Sequence, residues 1–185
     1  MDKLDRVLNR YATSQNLMDQ IRYTAESLSI GFDRWGEQYV SGPSLYFLVT
    51  AEVNFGAYTD PMGGNKWPIE RCQVVPESPE AFTRVARDVA FSRDGAILVT
   101  GDGTVQEQMV RVRSPGRDEI EGADEIEYAD WMGAKHMSAL ETSLREGVLW
   151  AITLSEEDGR ITTFLDGTYQ DYPREDIGGR WRPEG

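Results

Sequence analysis

Residues 94–114 (DGAILVTGDGTVQEQMVRVRS) and 148–167 (VLWAITLSEEDGRITTFLDG) share one pattern: an apolar, β-branched run, an Asp-Gly pair, and a second run. Asp-Gly supplies the positive φ of a two-residue hairpin turn, so each stretch reads as strand, tight turn, strand. Strands joined this way are antiparallel, which rules out a purely parallel sheet. The remaining segments surround these hairpins. Ala139, Leu140 and Leu144 mark a helix between them, and Phe82, Val85 and Val89 mark another that runs to about Phe91. Ser78, Pro79 and Glu80 start the latter as N-cap, first-turn proline and early acid. Residues 42–53, GPSLYFLVTAEV, read as a buried strand after a Gly-Pro break. Leu4, Val7, Leu8, Tyr11, Leu17, Met18, Ile21 and Leu28 give residues 2–29 one or two amphipathic helices. Residues 59–69 read as loop, 114–130 as an acidic loop or short helix, and 168–185 as a polar tail that packs late through Trp181 or frays. The order helix, strand, helix, hairpin, helix, hairpin predicts an α/β (α+β) fold with a central mixed β-sheet flanked by helices. We expect one domain over 1–185, with N-terminal helices and first strand in 1–77, a motif-bearing core in 78–169 and a tail in 170–185.

A chain of 185 residues is long enough for one domain with a real core. No stretch approaches eighteen consecutive apolar residues, and the N-terminal segment has no apolar run of the signal-peptide kind. Cys72 is the single cysteine, so neither an internal disulfide nor a cysteine zinc site is available. A cytoplasmic location is the expectation. Asp plus Glu number 32 against 19 Lys plus Arg, a net charge of −13. Lysine occurs only as Lys3, Lys66 and Lys135, leaving 16 arginines. A carboxylate-rich, lysine-poor surface suits a halophile, because at about 1 M salt the Debye length falls to roughly 3 Å and self-repulsion is screened. An ordinary acidic cytosolic protein has the same signature. Either way a nucleic-acid partner is disfavoured, since no basic stripe faces phosphates.

Four Asp-Gly pairs occur, at Asp94, Asp102, Asp158 and Asp166. Asp102 and Asp158 lie between two strand patterns and read as turns. Asp94 stands between a helix end and a strand start. It is either a turn residue or a carboxylate at the mouth of the sheet, where metals and phosphates bind. Gly133-Ala134-Lys135-His136 precedes a helix, whose first N–H groups favour anions. A cation and an imidazole there complete a phosphate site; otherwise they are a solvated lysine and a partly buried histidine. In a surface that avoids lysine, Lys135 invites a functional reading. Ser155-Glu156-Glu157 ends a strand and either holds a divalent cation or makes a polar hairpin turn. Met132 and Met137 read as core filling, and Trp131 either packs inside or stacks on a base. No Walker A pattern and no G-x-G-x-x-G after a strand is present, and nothing around Cys72 suggests a nucleophile.

The order D-G-A opening a strand, G-x-K-H before a helix and S-E-E at the end of the next strand resembles the diadenylate cyclase domain, the family that makes cyclic di-AMP. The matching residues are Asp94-Gly95-Ala96, Gly133-Ala134-Lys135-His136-Met137-Ser138 and Ser155-Glu156-Glu157, within about 78–169. The acidic composition makes a halophilic, archaeal member the natural subgroup. The resemblance implies a metal-dependent (Mn²⁺ or Mg²⁺) enzyme joining two ATP molecules into cyclic di-AMP with release of two pyrophosphates. It implies that Asp94 holds the metal and helps activate the ribose 3′-hydroxyl, and that Glu156 completes the metal site. Gly95 and Ala96 would let the nucleotide lie close to the backbone. Gly133 with Lys135 and His136 would grip the triphosphate, and Ser138 and Ser155 would contact the nucleotide. Each subunit would carry one ATP, so two subunits of a homo-oligomer would meet face to face. The family's threonine is Ala134 here, its first arginine Lys135 and its second Met137. Either Arg111, Arg113 or Arg145 supplies the charge absent at Met137, or phosphate binding is weaker. A catalytically silent module that binds ATP or cyclic di-AMP on the same fold is the alternative. A halophilic interaction domain with accidental motif matches is a third reading.

Overall fold

The computed structural model describes residues 3–51, 53–64, 66–67, 74–116 and 118–179, with side chains from residue 14 onward. Helix α1 (Lys3–Gly31) leads to strand β1 (Leu45–Thr50) and a short β2 (Thr59–Pro61). Helix α2 (Pro79–Ser92) is followed by β3 (Ala96–Thr100) and β4 (Val105–Val112). Helix α3 (Ala134–Thr142) precedes β5 (Val148–Leu154), β6 (Ile161–Leu165) and β7 (Thr168–Tyr172). The strands form one sheet in the order β2-β4-β3-β1-β5-β6-β7. Only β1 and β3 run parallel; every other neighbouring pair is antiparallel. The mixed sheet with flanking helices is the architecture expected from the hairpin pattern.

The sheet is covered on both faces, and β1 shows why its sequence is apolar throughout. Phe47 and Val49 face one core, where Leu17, Ile21 and Leu28 of α1 and Phe82, Val85 and Val89 of α2 pack. Tyr46 and Leu48 face the other, under Ala139 and Leu140 of α3. A strand buried on both sides needs no polar alternation, so LYFLVT reads as a continuous run. Phe82 sits at the centre of the first core, 5.6 Å from the Phe47 ring and stacked 5.7 Å from Trp67. α2 starts as anticipated, with Ser78 at the N-cap, Pro79 in the first turn and Glu80 behind it.

The one or two helices expected over residues 2–29 are one continuous helix, α1. Two other segments differ from the sequence reading. Thr59–Pro61, expected as loop, is an edge strand on β4. Edge strands tolerate proline because the missing N–H faces away from the ladder, so Pro61 did not forbid pairing. Thr168–Tyr172, expected in the tail, pairs with β6 over all five residues. Its residues are mostly exposed, so TYQDY lacks the buried alternation that betrays a strand. The acidic connection holds one 3-10 turn, Ala123–Glu125. Cys72 and Trp181 lie outside the described residues.

Candidate active site

The fold brings the amino ends of β1 and β3 and the first turn of α3 to one end of the sheet. Between them lies a cleft of about 220 Å³, lined by residues that include Ser44, Tyr46, Arg93, Asp94, Lys135 and Ser138. Gly95, Ala96 and Ala134 also line it, as do Met62 and Arg111.

The Asp94-Gly95 pair is no hairpin turn. It links α2 to β3, and its geometry follows from crowding against β4. Gly95 has φ +89°, and a Cβ there would lie 2.9 Å from both N and O of Val110. Only glycine fits that position without moving backbone. Asp94 is exposed, and its Oδ1 accepts a 2.7 Å hydrogen bond from the Gly95 N–H. By contrast, Asp102 is a turn residue, its Oδ1 accepting from Thr104 N–H at 3.0 Å and from the Thr100 hydroxyl at 2.7 Å.

Lys135 enters from the first turn of α3. Its ammonium donates to Ser44 Oγ at 2.6 Å and to the Leu154 carbonyl at 2.8 Å. Burial pushes the ammonium below the usual lysine range, and the charges of Glu156, Asp94 and Glu157 pull against that. Those carboxylates act on it through space, yet among the described residues none forms an ion pair with it. Ser138, one turn on, meets Tyr46 Oη at 3.4 Å. Burial pushes the Tyr46 phenol up to about 12, so it stays a neutral hydrogen-bonding wall.

His136 is placed differently. It is only 7% exposed and is not among the lining of the cleft. Its ring packs edge-on to Trp131 at 5.1 Å and tilted to Phe164 at 6.5 Å. Burial, then the Lys135 charge, pushes it down to about 4, so the imidazole is neutral near neutral pH. Its Nε2 is buried without a partner among the described residues. Trp131 is not free to stack on a base on both faces, since Arg160 lies 4.5 Å over its ring. Gly133 is the exposed N-cap of α3 and does not line the cleft. Ser155 is buried, its hydroxyl accepting from Glu157 N–H at 3.3 Å, so it shapes the β5–β6 turn. Glu156 is exposed and does not line the cleft, although its charge acts on Lys135; its carbonyl accepts from Gly42 N–H at 3.0 Å.

Of the three arginines considered for the charge absent at Met137, Arg111 lines the cleft. Arg113 faces Asp60 at 3.5 Å, and Arg145 stacks 4.5 Å over Tyr58 beyond the far end of α3. Met137 itself is 36% exposed. Sequence reasoning passed over Ser44, Tyr46, Met62 and Arg93. They carry no motif: Arg93 simply precedes Asp94, Met62 arrives with the pairing of β2 on β4, and the pairing of β1 with β3 and the packing of α3 bring Ser44 and Tyr46. The Gly-Pro-Ser break before β1 was the one available hint. Larger grooves of about 510, 610 and 550 Å³ follow α1. Asp94, Lys135 and Glu156 line none of them.

Asp94 and Glu156 supply two carboxylates, and no group of three His, Cys, Asp or Glu among the described residues could hold a metal. These two carboxylates make no stand-alone metal centre, and a divalent cation held there would draw most of its shell from phosphate oxygens and water, as Mg²⁺ commonly does.

No family model matches the chain, and no curated protein matches it. Solved structures do. A hypothetical membrane spanning protein from Bacillus cereus aligns with TM-score 0.55 and 14% identity, over 83% of this chain and 62% of its own. This chain therefore spans less than two thirds of that neighbour. No helix among the described residues is long and apolar enough to cross a membrane. A double mutant of DacA from Staphylococcus aureus aligns with TM-score 0.52 and 15% identity, over 90% of this chain and 96% of its own. At such identities the likeness is one of fold: a mixed α+β fold like that of DacA.

Proposed function

We propose that this chain is a diadenylate cyclase, condensing two ATP molecules into cyclic di-AMP and two pyrophosphates. The observation that carries the reading is that Asp94 and Lys135, from two separated motifs, line one cleft, with Glu156 of the third motif near enough for its charge to act on Lys135. The fold likeness to DacA, a diadenylate cyclase, supports it. In this reading each ribose 3′-oxygen bonds to the α-phosphorus of the other ATP, the bond to pyrophosphate breaks, and the hydroxyl proton passes by way of the Asp94 carboxylate to water. Lys135 holds the charge of the polyphosphate, and Asp94, exposed at the cleft mouth, orients the attacking hydroxyl. Asp94 and Glu156 would hold a Mn²⁺ or Mg²⁺ ion, which supplies charge neutralisation between phosphate and carboxylate oxygens. Gly95 and Ala96 keep the floor low enough for a nucleotide to approach the backbone. His136 supports the α3 entry through Trp131 rather than meeting substrate.

The cleft is smaller than the roughly 300–1,000 Å³ that encloses a typical small ligand. A nucleotide in it is therefore only partly covered. A second copy facing the first supplies the remaining wall and the second ATP, so we propose a homo-oligomer working through a face-to-face pair. The acidic, lysine-poor composition favours a halophilic, cytoplasmic setting.

A second reading, a silent module that binds ATP or cyclic di-AMP, is favoured by Met137 at the position of an expected arginine and by His136 facing away from the cleft. The test is incubation of the purified protein with ATP and Mn²⁺ in molar KCl, with Asp94→Asn alongside. Cyclic di-AMP from the wild type alone, read by mass spectrometry, supports the cyclase. Bound ATP without product moves the reading to the silent module. A variant that keeps the wild-type rate removes Asp94 from the mechanism.

A further inference from the structure

Lys135 poses a physical problem that the motif reading leaves open. It is a partly buried cation, and among the described residues no carboxylate pairs with it. Taking a charge partly out of water with no counter-charge in contact is costly, even with carboxylates near enough to act through space, and a ligand anion can supply that contact. An ammonium has three protons to donate. Here the Ser44 hydroxyl and the Leu154 carbonyl, both uncharged, accept two of them.

Ser44 itself is held on several sides. Its N–H donates to Ala90 O at the end of α2 at 3.0 Å. Two residues earlier, Gly42 N–H donates to Glu156 O at 3.0 Å. A Cβ on Gly42 would run into the Trp35 ring and come 2.9 Å from that same Glu156 carbonyl. Pro43 between them fixes the backbone further. The 42–44 segment is thus wedged between α2 and the β5–β6 turn, and Ser44 is delivered to the cleft on a rigid support.

We infer that Ser44 is a positioning residue for Lys135: its hydroxyl and the Leu154 carbonyl take two ammonium protons, leaving the third for a phosphate oxygen in the cleft. The inference rests on the nucleotide reading for the identity of that anion, though not for the Ser44–Lys135 contact. Lysine's long stem carries large rotamer entropy, and the two fixed acceptors remove it before a ligand arrives. A point charge so held recovers part of the directionality that an arginine fork has by itself.

The experiment is a double-mutant cycle on ATP·Mg binding, measured by calorimetry for wild type, Ser44→Ala, Lys135→Met and the double variant. Ser44→Ala is expected to weaken binding about tenfold, the scale of one hydrogen bond to a charged group. In the Lys135→Met background the same substitution is expected to have no further effect, because Ser44 acts through the ammonium. Ser44→Thr, which keeps the hydroxyl, is expected to restore affinity. Equal losses in both backgrounds would show a merely structural role and overturn the inference. Acetylation of Lys135, read by mass spectrometry against exposed Lys66 in the same chain, separates the two claims. Faster Lys135 labelling in Ser44→Ala, with Lys66 unchanged, supports the contact even if the wild type binds no ATP, in which case the nucleotide reading alone falls. Unchanged Lys135 labelling overturns the contact.

Discussion

Substituting Gly95 by alanine tests whether the Asp94-Gly95 step is shaped by collision with β4 or only by its own torsion angles. Two costs are expected. The first is conformational: at φ +89° an L side chain is strained, by about 1–2 kcal/mol. The second is steric. The new methyl would lie 2.9 Å from both N and O of Val110, which are backbone and cannot swing away, and 2.5 Å from Met62 Cε, which can. Forcing β4 outward at a central strand pair adds about 1–3 kcal/mol, as overpacking usually does. The total is about 2–5 kcal/mol. Gly122 is the control, because its φ is +86° and a Cβ there meets nothing within 4 Å. Gly122→Ala carries the conformational cost alone. Urea unfolding in constant KCl, followed by Trp fluorescence and compared at equal slope, reads the difference between the two variants. Gly95→Ala is expected to be the less stable by more than about 1 kcal/mol. If the two variants unfold together, the crowding argument is wrong and glycine is required at 95 by torsion alone.

His136 predicts a pH effect with a definite sign. Its folded value, about 4, lies below the ordinary 6.5, so the unfolded chain binds the proton more readily. The stability it contributes is present above pH 6.5 and is lost as pH falls toward 4. The full loss is about 3 kcal/mol. His136→Gln removes that component, so the difference in stability between wild type and variant should change with pH across this window. A constant difference would place the imidazole in a more polar setting than the Trp131 and Phe164 packing indicates. Salt provides another check. With −13 of net charge opposing both the compact state and an approaching ATP, folding and ATP affinity should rise together from dilute buffer to molar KCl. Full stability in dilute buffer would remove the halophile reading and leave the cyclase reading standing.

The periodic parts of the chain were legible without coordinates. Phe82, Val85 and Val89 repeat at helical spacing, LYFLVT is apolar on both strand faces, and Asp102-Gly103 turns one run back on the next. Each is a local consequence of torsion preference and burial, so each is written into neighbouring residues. The mixed sheet followed from the tight turns. β2 and β7 were not legible. They are edge strands whose partners, β4 and β6, supply the pairing, and an exposed face imposes no apolar alternation.

At the site the division is the same. The sequence alone determined that Asp94 precedes a glycine before a strand, that Lys135 opens a helix, and that Glu156 ends a strand. Only tertiary structure decided that Asp94 and Lys135 line one cleft and that the Glu156 charge reaches that lysine. It also placed adjacent Lys135 and His136 on different errands, because successive residues on a helix point about 100° apart. One side of α3 faces the end of the sheet, where Ser44 and Leu154 wait with oxygen acceptors. The other faces Trp131 and Phe164, where burial keeps an imidazole neutral. Ser44 itself, some ninety positions from its lysine, is marked locally only by the Gly-Pro break before it, since what gives it a role is the packing of α3 across the amino end of β1.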